Sequence, residues 1–183
     1  MFSCIKTYRV EYAHQLWSSY TALCHETIHG HSGKIEIQFI KNNGGIDKDS
    51  MVVDFGKISS IIKDHIMTKY DHALFMPKMF PKKYLQCLAS YNKRFTVTDE
   101  NPTAENFAKW IYQECATILK NNGMDVKVES VVFHETETGC AMYTAQDENN
   151  KLTNDWSEKT VPNSSRTFFS IKKKFKYRSK FNK

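Results

Sequence analysis

Residues 34–41, KIEIQFIK, alternate with period two: Ile35, Ile37 and Phe39 fall on one face, and Lys34, Glu36 and Gln38 on the other. That pattern predicts a strand with one buried side. A looser alternation through residues 2–16, where Ile5, Tyr8, Val10 and Tyr12 stand among polar neighbours, predicts an earlier strand. The period then lengthens. Ile58, Ile61, Ile62, His65 and Ile66 recur at helical spacing, and Phe107, Ala108, Ile111, Cys115, Ile118 and Leu119 make a second apolar stripe. Pro102 and Thr103 supply a stop and an N-cap for the second helix, Glu105 suits the positive end of its dipole, and Asn122-Gly123 ends it. Two further strands, VKVESVVFHE and CAMYTAQ, follow around a tight TETG turn.

Strand, strand, helix, helix, strand, strand is not the alternation of a parallel α/β sheet. It predicts an α+β domain, a four-stranded antiparallel sheet with two helices on one face. NNGG at 42–45 reads as a turn, and residues 76–100, with Pro77 and Pro81, as a long connection that is helical in part. From residue 147 onward Asn, Ser, Thr and Lys displace the aliphatics. The domain is therefore expected at 1–146, and 147–183 as a polar, then basic, flexible extension.

A chain of 183 residues with 40% apolar composition suffices for one domain with a buried core. The formal charge of +6 changes its meaning once it is located. Residues 171–183 hold seven of the 26 basic residues and no acid, leaving 19 basic against 20 acidic residues in the first 170. Such a tail is chemically suited to nucleic acid or an anionic partner, but a solvated terminus is the plainer expectation. Five cysteines without a C-x-x-C pair argue against a disulfide framework and for a reducing compartment. Lys6, Arg9 and Glu11 interrupt any signal-peptide core, and no run approaches a membrane span. A soluble, cytoplasmic protein is expected.

The chemistry concentrates in CHETIHGHSGK, residues 24–34. If the second strand has begun at His29, His29 and His31 point to the same side. His14 ends the first strand, and antiparallel pairing would bring it beside them. Three neutral imidazoles suit zinc and leave a fourth position open, the arrangement of a catalytic site rather than a structural one. Cys24 lies just upstream. His29, His31 and Glu36 also fit the H-x-H-x4-E spacing of cupins, but two helices interrupt the strands that a cupin needs.

Six segments occur in one order: EYAHQL, C…HGHSGKIEI, MVVDFGKI, YDHALF, ENPTAENFAKWI and ETETGCAMY. Together they resemble the 6-pyruvoyl-tetrahydropterin synthase family, most of all its bacterial 6-carboxytetrahydropterin synthase branch, over about residues 2–146. The resemblance implies the tunnelling fold (T-fold), whose sheets join into a barrel, commonly as a homo-oligomeric hexamer of two trimers. It implies zinc on His14, His29 and His31, and Cys24 as general base or acid. Asp71 and His72 match the pair that completes proton transfer, and Glu135 the carboxylate that holds the pterin. Thr103, already explained as a cap, is carried as a substrate contact. The implied substrate is 7,8-dihydroneopterin triphosphate.

The chain departs from the family in one respect. Four residues, HETI, separate Cys24 from HGH, where the carboxytetrahydropterin branch keeps three and the pyruvoyl branch five. Glu26 stands three before His29, where a third branch, which forms 6-hydroxymethyl-dihydropterin for folate synthesis, carries its catalytic Glu. The chain thus resembles a mixed type, with Cys24 and Glu26 both candidates and queuosine and folate routes both open. The competing expectation is a catalytically idle homologue that binds a pterin or purine-like ligand and recruits an anionic partner with its basic tail.

Overall fold

A computed structural model describes residues 1–153; the basic extension expected beyond them lies outside the described residues. Eleven elements follow in chain order: β1 Cys4–His14, α1 Ala22–Glu26, β2 His29–Lys41, α2 Phe55–Lys69, β3 Ala73–Pro77, α3 Lys82–Tyr91, β4 Phe95–Thr98, α4 Ala104–Asn121, β5 Val126–His134, β6 Cys140–Thr144 and α5 Ala145–Thr153. One sheet of six strands, in the order β4-β3-β1-β2-β5-β6, carries them.

The antiparallel centre is the sheet that the sequence predicts. β1 runs against β2 from Cys4 opposite Phe39 to His14 opposite His29. β2 also pairs antiparallel with β5, and β5 with β6. The four-stranded expectation fails on the other side of β1. There β3 pairs parallel to β1 and β4 parallel to β3, so the sheet is mixed. In β3 all five residues are buried, which removes the alternation that marks a half-exposed strand. Parallel neighbours need a crossover, and α3 supplies it. The long connection expected at 76–100 is this strand, helix and strand.

Ile35, Ile37 and Phe39 of β2 are fully buried against Ile58, Ile62 and Ile66 of α2 and Phe107, Ile111 and Cys115 of α4. Both long helices therefore cover one face. Between them, Glu114 accepts from His65 Nε2 at 2.8 Å, from the buried Tyr70 hydroxyl at 2.9 Å and from Lys69 Nζ. Thr103 Oγ1 caps α4 by accepting from Asn106 N, and Gly123 leaves the helix at φ +60°, where a side chain would be strained. α5 carries the chain past residue 146 and back to α4, with Glu148 accepting from Gln113 Nε2 and the Tyr143 hydroxyl. Among the described residues no helix is long and apolar enough to cross a membrane. All five cysteines are free.

Candidate metal centre and active site

The register that sets His14 opposite His29 makes the site. Period two puts Tyr12 and His14 of β1 on the same face as His29 and His31 of β2, beneath the start of α4. His14 is 2% exposed. Its Nδ1 lies 2.7 Å from the Pro102 carbonyl oxygen, and His29 Nδ1 lies 3.0 Å from that of Thr27. A carbonyl only accepts, so each ring carries its proton on Nδ1 and turns the Nε2 lone pair inward. Those two Nε2 atoms are 3.0 Å apart. Two lone pairs at that distance repel unless a cation lies between them.

Burial, with the neighbouring His29 and His31 acting in the same direction against the Pro102 carbonyl, lowers the His14 pKa to about 4. A proton is therefore a poor cation for this gap at neutral pH. His31 Nε2 is buried without a hydrogen-bond partner, and the three ligand nitrogens all lie within 4.8 Å of one another. Two nitrogens about 2.0–2.1 Å from a tetrahedral ion would be about 3.3 Å apart. His14, His29 and His31 form a group that can hold a metal ion.

Glu135 follows β5 and its carboxylate reaches the same cluster. Oε1 is 3.7 Å from His14 Nε2, 4.0 Å from His31 Nε2 and 3.3 Å from the Tyr12 hydroxyl, which donates to it. Burial of the phenol, then the Glu135 charge, pushes the Tyr12 pKa above its ordinary range.

Cys24 sits in the single turn of α1, half-buried, and accepts from the Thr21 hydroxyl at 3.1 Å. Leu16 N donates to the Cys24 carbonyl and Gln15 Nε2 to that of His25, so α1 is tied to the residues that follow His14. Glu26 points outward with its side chain 70% exposed, 3.8 Å from His25 Nε2. Asp71 and His72 pair at 2.9 Å between Oδ2 and Nδ1. Burial works against the Asp71 charge, but the Glu11 N–H, the His72 ring and Arg94 outweigh it and lower the pKa. His72 has φ 54° and a side chain 73% exposed, on a groove of about 690 Å³ that Glu11, Ser32, Gly30 and His31 also line. No hydrogen bond or ion pair joins this pair to Cys24 among the described residues. Thr103 serves as the α4 cap.

The structure thus gathers His14, His29, His31 and Glu135, ties the turn that carries Cys24 to the residues after His14, and leaves Glu26 and His72 exposed. Sequence reasoning misses the carbonyls of Pro102 and Thr27, which no side-chain motif marks. It also misses Tyr12, whose place two residues before His14 on one strand face was available as a signal. Asn101 is a third omission: its Oδ1 accepts from Trp17 N at 2.7 Å and its Nδ2 donates to Ser18 O, clamping the loop before α1 to the start of α4.

A mixed sheet backed by two helices, with three histidines that could hold a metal converging where β1 and β2 meet and a carboxylate beside them, defines an α+β protein of the T-fold class. A family profile described as 6-pyruvoyl tetrahydropterin synthase matches residues 3–146, and the chain belongs to that family. It is 32% identical over 124 residues to a Helicobacter pylori 6-carboxy-5,6,7,8-tetrahydropterin synthase, covering 64% of this chain and 60% of that protein. A Haemophilus influenzae protein of the same name is 26% identical over 148 residues, 78% of this chain and 99% of the relative. The chain thus spans about 60% of the length of the Helicobacter relative.

Among solved structures, an uncharacterized protein of Wolinella succinogenes superposes with TM-score 0.64 at 21% identity, over 79% of this chain and 98% of that one. The Caenorhabditis elegans 6-pyruvoyl tetrahydropterin synthase superposes with TM-score 0.57 at 18% identity, over 79% and 95%. A Plasmodium vivax 6-pyruvoyltetrahydropterin synthase carrying alanine in place of a catalytic glutamate gives 0.52 at 14%, over 78% and 98%. These likenesses support the T-fold.

Proposed function

We propose that this protein is a zinc-dependent pterin synthase, a lyase that acts on 7,8-dihydroneopterin triphosphate and forms 6-carboxy-5,6,7,8-tetrahydropterin. The observation that carries the reading is the Glu135 carboxylate standing 3.7 and 4.0 Å from two nitrogens of the three-histidine group. A carboxylate there would anchor a planar set of N–H donors beside a bound metal, and a pterin with an oxygenated side chain would meet both. The names of the relatives support that product.

Zinc, when bound, supplies Lewis-acid polarisation of the side-chain oxygens and acidifies the adjacent C–H. The chain's own groups do the rest. Glu135 accepts from the amino and ring N–H donors of the pterin, a planar match like that of carboxylate to guanidinium. Cys24 takes a proton from, or returns one to, the side-chain carbon. Asp71 orients His72 through its Nδ1, which leaves Nε2 for proton transfer. Thr103 lines the approach as a substrate contact. The outer edges of β4 and β6, unpaired among the described residues, support assembly with further copies, in the hexamer of two trimers that the resemblance implies.

A second product has its own support. Glu26 lies two residues from Cys24 on the same turn of helix and is exposed, and the Plasmodium vivax relative uses a catalytic glutamate. This favours a parallel release of 6-hydroxymethyl-dihydropterin. The deciding experiment is incubation of zinc-loaded wild type, Cys24→Ala and Glu26→Ala with dihydroneopterin triphosphate, followed by mass spectrometry of the products. 6-Carboxytetrahydropterin that disappears only with Cys24 is expected. A 6-hydroxymethyl product that depends on Glu26 would assign the folate-type reaction to this chain as well. Zinc-loaded wild type that gives no product at all would overturn the enzyme reading in favour of a pterin-binding protein.

A further inference from the structure

Tyr12 is 5% exposed although it ends in a hydroxyl. Its ring meets Phe107 at 5.0 Å and Phe133 at 5.5 Å, both edge-on, and lies 5.3 Å from the His14 ring and 5.5 Å from that of His31. Room for it comes from Gly33. A Cβ at that position would sit 3.0 Å from Tyr12 Cε1 and 3.2 Å from Phe133 Cζ, so any side chain there forces the tyrosine ring to give way. The two residues form a unit, a large ring on β1 lying over a missing side chain on β2.

Among the described residues the hydroxyl of that ring has one hydrogen-bond partner, Glu135 Oε1, at 3.3 Å. The same oxygen stands 3.7 Å from His14 Nε2 and 4.0 Å from His31 Nε2, beside the group that can hold a metal. An ion about 2.0–2.1 Å from those nitrogens would lie within a short movement of it, and a carboxylate is an effective fourth ligand. If Glu135 closed the fourth position, the site would lose both its open coordination place and its anchoring carboxylate. A hydrogen bond to Oε1 competes with that movement, because the oxygen must give up the phenol to reach the ion.

We infer that Tyr12, seated by the space that Gly33 leaves, is a positioning residue whose hydroxyl holds Glu135 off the metal and keeps its carboxylate turned to an incoming ligand. The ligand half of this inference rests on the pterin reading. The metal half does not.

The test uses the full chain loaded with Co(II), whose visible spectrum reports the ligands around the ion. Wild type and Glu135→Gln are expected to share one spectrum, since Glu135 is not a ligand while Tyr12 holds it. Tyr12→Phe is expected to change the spectrum as the carboxylate enters, and Tyr12→Phe combined with Glu135→Gln to restore it. Gly33→Val, which displaces the ring but keeps the hydroxyl, is expected to reproduce the change. Dihydroneopterin should bind Tyr12→Phe about 10-fold more weakly than wild type, the scale of a lost partner to a site residue. A spectrum unchanged in Tyr12→Phe overturns the inference, as does a wild-type spectrum already altered by Glu135→Gln. Equal dihydroneopterin affinity in both proteins overturns its ligand half. Wild type that takes up no dihydroneopterin sinks the pterin reading instead, and the Co(II) comparison still decides what Tyr12 does.

Discussion

Each histidine that a carbonyl holds by Nδ1 has its Nε2 lone pair aimed before any ion arrives. That pre-orientation has a cost that acid exposes. In the metal-free protein the folded-state pKa of His14 is about 4, below an ordinary value of 6.5, because burial penalises its charge. Between those two values the unfolded chain binds the proton and the folded chain does not. Stability is therefore complete above pH 6.5 and falls as the pH drops toward 4, by on the order of 3 kcal/mol for this one group. Urea denaturation of chelator-treated protein at pH 7 and pH 5 should show the lower midpoint at pH 5, with a smaller difference in His14→Gln; equal midpoints would refute it. His29→Ala should lose stoichiometric metal by elemental analysis while staying folded, and full retention of the ion would remove His29 from the ligand set. The three histidines were legible in the sequence because H-x-H on a strand and a histidine at the end of its partner strand are side-chain signals with a period. The carbonyls of Pro102 and Thr27 were not, since every residue has one and only the folded backbone shows which carbonyl is aimed.

At the level of elements, the start of α4 is the hub of the site. Pro102 orients His14, Thr103 caps the helix, and Asn101 clamps the loop that leads to Cys24. Asn101→Ala removes the acceptor for Trp17 N and the donor to Ser18 O. Amide exchange, followed by mass spectrometry, should accelerate across residues 15–28 and stay unchanged in α2; exchange confined to wild-type rates in that loop would count against the clamp. A different change probes the layer beneath. Glu114→Ala leaves the Tyr70 hydroxyl, on a residue 1% exposed, without its acceptor and should cost about 1–3 kcal/mol in chemical denaturation. A loss within error would mean that water replaces the carboxylate. Both long helices could be read from their stripes, Ile58 to Ile66 and Phe107 to Leu119. β3 could not, because its five buried residues have no polar alternate, and β4 offers only the four residues FTVT. Period-based reading sees a strand through its contrast between faces, and a strand covered on both faces has none.

On the scale of the whole molecule, the sheet ends in two strands whose outer edges are unpaired among the described residues, β4 with Val97 48% exposed and β6 with Met142 61% exposed. Soluble proteins usually blunt such edges or cover them, since open backbone donors and acceptors recruit another chain. Here no described segment lies outside either strand in the sheet order. The simplest way to satisfy both edges is to pair the edge of one copy with that of the next until the ring closes. Which strands become outermost depends on β3 and β4 adding to the far side of β1, so the edges could not be located from the sequence, and assembly is an expectation that only the family resemblance supplied. Light scattering behind size exclusion should give a mass several times that of the 21.3 kDa chain. Met142→Lys places a charge on the exposed strand and should shift the distribution toward smaller species, with less effect at high salt if repulsion between copies is the cause. A wild-type protein that runs as a single chain at micromolar concentration would show that the edges are tolerated open, and the barrel would then have to be abandoned even with the metal site intact.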